Sequence, residues 1–198
     1  MKEISAFLII FTIIASGFIT YQSKFSSLTY VVSTVDKRKY LVRNEPNKQK
    51  AADKLANINL QILDFIEKLT DKYRNNDNFE DVVRIKNRYN PDNMSENTKY
   101  SRHTSYSVNK GEQMVVCLRQ KEDDSFVDNN TILFVILHEL AHIMTRSIGH
   151  TEEFWTNFKF LLKEAEQFNL YKKEDYNSKS KRYCGMDITD NPLNDKDI

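Results

Sequence analysis

Cysteine is scarce in this sequence, and neither sign of charge is in excess. The two cysteines, Cys117 and Cys184, are too few for a disulfide framework, so the fold is not expected to depend on an oxidising compartment. Two reduced, buried thiols are the preferred reading, with a single bridge as the alternative. Lysine and arginine number 29 against 28 aspartates and glutamates, a net charge of +1. That balance leaves no electrostatic footprint for nucleic acid. No internal repeat and no coiled-coil register are present. A chain of 198 residues fits one domain of ordinary size plus an appendage.

Long uncharged runs are missing too, except at the start. Ile4 to Ser23 holds no charged residue in 20 positions, and Tyr21 stands as an interfacial aromatic. Such a run is just long enough to span a bilayer, which predicts an uncleaved anchor over residues 1–24 ahead of a domain over 25–198. A cleaved signal peptide competes, because Ala15, Ser16 and Gly17 are small, although Phe18 and Ile19 blur any cleavage site. Lys2 precedes the run while Lys24, Lys37, Arg38 and Lys39 follow it. The positive-inside bias then predicts a single-pass membrane protein, contacting lipid through its first segment, with its domain on the cytoplasmic side. The sequons at Asn93 and Asn129 make glycan occupancy a test of that topology.

Three of the four histidines lie between Thr131 and Trp155, behind a nearly continuous apolar run. Thr131 to Ser147 has no Pro or Gly and reads as a buried helix, with capping candidates at Asp128, Asn129 and Asn130. On it His138 and His142 stack one turn apart on a single face. Glu139 lies roughly 100° around the helix, within reach of a metal-held water but badly placed to ligate, which is the position of a general base. A catalytic Zn²⁺ takes about three protein ligands and leaves one position open. His150 is the natural third ligand, since Gly149 permits a turn back; Glu152 and Glu153 are the alternatives. Phe154 and Trp155 are expected to pack one turn later against the first helix. Two unpaired imidazoles and a carboxylate are costly to bury without a purpose, whereas His103 reads as a surface residue.

The His138-Glu139-Leu140-Ala141-His142 core, the third histidine and the His150-x-x-x-Phe154-Trp155 signature resemble the WLM and SprT (Spartan-like) zinc metallopeptidases, small minigluzincin-type enzymes. Leu137 to Trp155, Phe160 to Ala165, Tyr183 to Met186 and Tyr40 to Asn44 look more like WLM-like metallopeptidases of large DNA viruses. The x7 interval between His142 and His150 is longer than is usual in the family. The resemblance implies an α+β fold: a small zincin-like domain whose short antiparallel sheet packs on the active-site helix and two further helices, behind the N-terminal transmembrane helix. It also implies that the strand before the active-site helix is a sheet edge to which substrate adds. That role falls on Gln113, Met114, Val115, Val116, Cys117 and Leu118, and an ordinary core hairpin is the equal alternative.

Elsewhere, Thr29 to Val35 and Tyr40 to Val42 read as short strands, and Ala51 to Tyr73 as an amphipathic helix that covers the core. Residues 74–103 read as polar loop with a short helix from Phe79 to Ile85. Asn109-Lys110-Gly111 reads as the turn of a hairpin, and Thr151 to Leu170 as a third helix. Tyr183 or Met186 could floor the site, against simple packing. The function expected is a membrane-anchored zinc endopeptidase acting on proteins or peptides, with Glu139 as base and no nucleic-acid partner. A non-catalytic, membrane-tethered zinc-binding protein and a Spartan-type protease of DNA-protein crosslinks are the alternatives.

Overall fold

The computed structural model describes residues 2–76 and 79–195, with the backbone alone for residues 2–8 and 22–26. The chain opens with α1 (Lys2–Ser26), followed by the hairpin strands β1 (Leu28–Val32) and β2 (Lys39–Arg43). Two helices, α2 (Lys48–Tyr73) and α3 (Phe79–Arg88), lead to β3 (Met94–Glu96) and the hairpin β4 (Tyr106–Val108) and β5 (Gln113–Val116). The helices α4 (Asn129–Met144) and α5 (Glu152–Gln167) come next, and a small hairpin, β6 (Lys181–Tyr183) and β7 (Met186–Ile188), closes the described chain.

The fold is α+β, but the sheet is mixed rather than antiparallel. Its strand order is β1-β2-β3-β5-β4, with β3 parallel to both β2 and β5. Parallel neighbours need a crossover, and α2 with α3 supplies the one between β2 and β3. The short strand β3 was hidden in a polar stretch read as loop. Its insertion leaves β4 as the sheet edge and puts β5 inside, paired with β3 on one side and β4 on the other. The expectation that Gln113 to Leu118 form an open edge is therefore corrected. Both main-chain flanks of β5 are used, and Met114 to Leu118 are buried.

One face of α2 covers β1 to β3, burying Leu55, Ile58, Ile62, Phe65 and Leu69, the positions its periodicity marks. The helix α4 packs against β4, β5 and α5, and Asp128 caps it by accepting the Thr131 amide at 2.9 Å. Its buried face runs through Ile132, Leu133, Ile136, Leu137 and Leu140, so the helix carrying the histidine pair is seated in the core.

Two expectations fail. Among the described residues no helix is long and apolar enough to cross a membrane, which overturns the single-pass membrane placement and the cytoplasmic orientation with it. The described side chains of the apolar run extend from Ile9 to Tyr21. The side chains of Ile4 to Leu8, and of Lys2 and Lys24 used for orientation, lie outside the described residues. Secondly, Cys117 and Cys184 form a disulfide, with their Cα atoms 6.0 Å apart. The fold brings the end of β5 against the β6–β7 turn, a proximity invisible in a separation of 67 positions.

Candidate functional site

Helix α4 sets the first two imidazoles. His138 and His142 stand one turn apart, half-buried, with their Nε2 atoms 3.2 Å from each other. Met144 is the last residue of α4, and the chain turns back through Gly149, whose φ of 88° suits glycine. That turn carries His150 over the pair, its Nε2 3.1 Å from that of His138. The nitrogens offered by His138, His142 and His150 all lie within 4.8 Å of one another. Among the described residues no other group of histidine, cysteine or acidic side chains converges in this way.

The geometry fits a metal ion. Two nitrogens bound tetrahedrally at about 2.0–2.1 Å stand roughly 3.3 Å apart. Hydrogen bonding does not explain both short contacts, because the Nε2 of His138 carries either one hydrogen or one lone pair. Burial pushes the pKa of His138 down to about 3, with smaller contributions from its two histidine neighbours. His142 falls to about 4, again chiefly by burial, with His150 and Lys110 adding. Both rings are thus neutral near pH 7, the form that ligates.

Phe154 lies beneath the three rings, fully buried, with centroid distances of 4.8 Å to His138, 4.3 Å to His142 and 4.7 Å to His150. Trp155 flanks His150 at 5.7 Å. The aromatic pair at the start of α5 therefore backs the site as its spacing suggested. The alternative third ligands do not join the cluster. Both Glu153 oxygens accept hydrogen bonds from residues 146 and 147, and Glu152 is exposed at the first turn of α5. His103 is exposed and meets the Tyr106 ring edge-on, 5.6 Å between centroids.

Glu139 is buried and lines the same cleft as the three histidines. Desolvation raises its carboxyl pKa, opposed by hydrogen bonds from the Ser107 hydroxyl and amide. The cleft, about 730 Å³, is walled on one side by β4 and its approach, Thr104 to Ser107. On the other side stand Met186 to Asp190 and Pro192, with Phe134, Val135 and Phe158 at the base. Tyr183 also lines it, but its hydroxyl lies 2.6 Å from Ser105 Oγ and the residue is buried. Packing, not flooring the metal, accounts for it. Met186 is half exposed on the rim.

Sequence reasoning missed Ser105, Ser107 and the 187–192 wall beyond Met186, because each reaches the site by tertiary contact and bears no local signature. The proposed substrate strand does not line the cleft at all. Gln113 and Val115 instead face a separate groove on the sheet, together with Leu41 and Ser95.

A three-histidine cluster with a buried carboxylate next to it, set at the side of a sheet edge, defines the class: a small α+β domain with a candidate metal centre in an open cleft. The WLM domain model matches residues 83–197. Protein R325 of Acanthamoeba polyphaga mimivirus is 32% identical over 188 residues, covering 93% of this chain and 94% of that protein. The chain belongs to the WLM-domain family. Protein 136R of Invertebrate iridescent virus 6 is 37% identical over 82 residues, covering 40% of this chain and 44% of its own length. The crystal structure of Wss1 from Saccharomyces cerevisiae superposes with a TM-score of 0.46 at 21% identity, covering 65% of this chain and 90% of that one. Family membership and the histidine cluster together support a function of the metallopeptidase type.

Proposed function

We propose that the protein is a zinc-dependent endopeptidase in which His138, His142 and His150 hold the metal and Glu139 is the general base. The observation that carries this reading is the convergence of three imidazoles beside a buried carboxylate in an open cleft. When bound, zinc supplies a Lewis acid that acidifies water and polarises a carbonyl. Glu139 takes a proton from the attacking water and passes it to the leaving amine, a task suited to a carboxyl whose pKa burial has raised. Ser107 holds that carboxylate toward the cleft through its hydroxyl and its amide.

Substrate adds to β4 rather than β5. Among the described strands β4 pairs with β5 alone, which makes it an edge beside the cleft to which an extended peptide can add. Main-chain pairing reads little sequence; selectivity comes from the apolar lining of the cleft, where Phe134, Val135, Phe158 and Ile188 favour an apolar side chain beside the scissile bond. The test is to incubate the full chain, loaded with zinc, with a denatured proteome and to sequence the new termini. New termini enriched in apolar residues at one flanking position, and lost on chelation, are expected. No metal-dependent cleavage would refute the reading.

A further inference from the structure

The connection from α4 to α5 is gripped from two sides by oppositely charged side chains, neither of them a proposed metal ligand. Three successive carbonyls, those of Thr145, Arg146 and Ser147, accept from Lys110 Nζ at 2.7, 2.8 and 3.0 Å. From the other side Glu153 accepts the amides of Arg146 at 2.8 Å and Ser147 at 3.1 Å, and the Ser147 hydroxyl at 2.7 Å. The peptide groups of one short segment are thus satisfied by a cation on their carbonyl side and an anion on their amide side.

Neither charge is free to wander. Lys110 stands in the β4–β5 turn, where Asn109, Lys110 and Gly111 take φ values of 47°, 54° and 109° in succession. Gly111 is pressed so close to the end of α3 that a Cβ there would meet the Arg88 carbonyl oxygen at 2.7 Å, so the turn is docked. Glu153 sits in the first turn of α5, whose cap Thr151 shares a 2.7 Å contact between hydroxyls with Ser147. Beyond the gripped segment, Ile148 is 89% exposed and Gly149 has open space where a Cβ would stand. The reach of His150 toward the pair on α4 is therefore set by residues 145–147 and by the start of α5.

We propose that Lys110 and Glu153 are positioning residues for the metal centre, fixing the 145–147 backbone so that His150 stands within ligand distance beside His138 and His142. The long interval between the second and third histidines needs such a brace, since a seven-residue connection left loose would lose entropy on every metal-binding event. This inference rests on the reading of the three histidines as a zinc site.

Charge gives the test its sign. Lys110 lines the same cleft as the histidines and repels a dication, so if its charge alone mattered, removing it would tighten zinc binding. As a positioning residue its removal weakens it. The experiment measures zinc affinity of the full chain by competition with a chromophoric chelator, for the native sequence, Lys110→Met, Lys110→Arg, Glu153→Gln and His142→Ala, with the thermal melt of each metal-free protein alongside. Lys110→Met and Glu153→Gln are expected to weaken zinc binding about tenfold or more, the scale of outer-shell partners. Lys110→Arg should retain it, and the metal-free melts should stay together. Native protein that binds one zinc, lost in His142→Ala, with unchanged or tighter binding in Lys110→Met and Glu153→Gln, would overturn the positioning role and leave the zinc reading intact. Native protein that binds no zinc overturns both. Should Lys110→Met fail to fold, Lys110→Gln, which also removes the repelling charge, decides.

Discussion

At Glu139 burial and hydrogen bonding pull in opposite directions, desolvation raising the pKa of the carboxyl and Ser107 restraining the rise. A group so placed is worth more as a proton carrier than as a structural anion. Glu139→Gln keeps its size and its contacts with β4 but takes no proton. It should retain zinc and lose turnover by a factor of about 10² to 10⁴, read as cleavage rate on a denatured protein. Undiminished cleavage would refute the role of Glu139. Phe154 is the other residue on which the centre leans, since its ring touches all three imidazoles. Phe154→Ala opens a cavity beneath them and should cost about 3–5 kcal/mol in a urea melt of the metal-free protein. A loss below about 1 kcal/mol would mean that the rings are held by something else.

The elements show which parts of this architecture could be read from sequence. The pair His138 and His142 is a local relation, four residues apart on one helix, and the return through Gly149 to His150 follows from a single glycine, so the three-histidine cluster and its carboxylate were legible while the cleft walls were not. Strand order is a non-local relation. The three residues of β3 offer no alternating pattern, and their insertion between β2 and β5 moved the sheet edge from the expected Gln113–Leu118 to Tyr106–Val108. What fixes β3 is a buried charge cluster rather than a hydrophobic pattern. Glu96 accepts the Arg43 amide at 2.7 Å and lies 3.7 and 3.6 Å from the Nε atoms of Arg43 and Arg119, all three side chains at most 3% exposed. Glu96→Ala would leave the buried Arg119 guanidinium without its counter-charge and Arg43 with Asp124 alone, 3.0 Å away, and should destabilise the domain by about 3–5 kcal/mol in denaturant melts. A nearly neutral effect would show that the cluster is dispensable to the sheet.

Across the whole molecule, the bridge from Cys117 to Cys184 ties the central sheet to the β6–β7 hairpin, which supplies one wall of the cleft. Composition alone favoured free thiols, because two cysteines say nothing of their distance in the fold. Closing a loop of this size restrains the unfolded chain by roughly 4 kcal/mol in the chain-entropy model. The double variant Cys117→Ser, Cys184→Ser should therefore melt well below the native protein under non-reducing conditions and alike under reducing ones. Equal melting in both would contradict a structural bridge. The N-terminal run is the reverse case: composition read it as a membrane span, and among the described residues no helix is long and apolar enough to cross a membrane.

Everything proposed for the cleft depends on three imidazoles sharing one ion, and metal content measured by mass spectrometry after zinc loading and desalting addresses that most directly. The account predicts one zinc per native chain and a marked loss of it when His138, His142 or His150 is replaced by alanine in a chain that still folds. A folded native protein that holds no zinc, or a variant lacking all three histidines that holds as much, would contradict it.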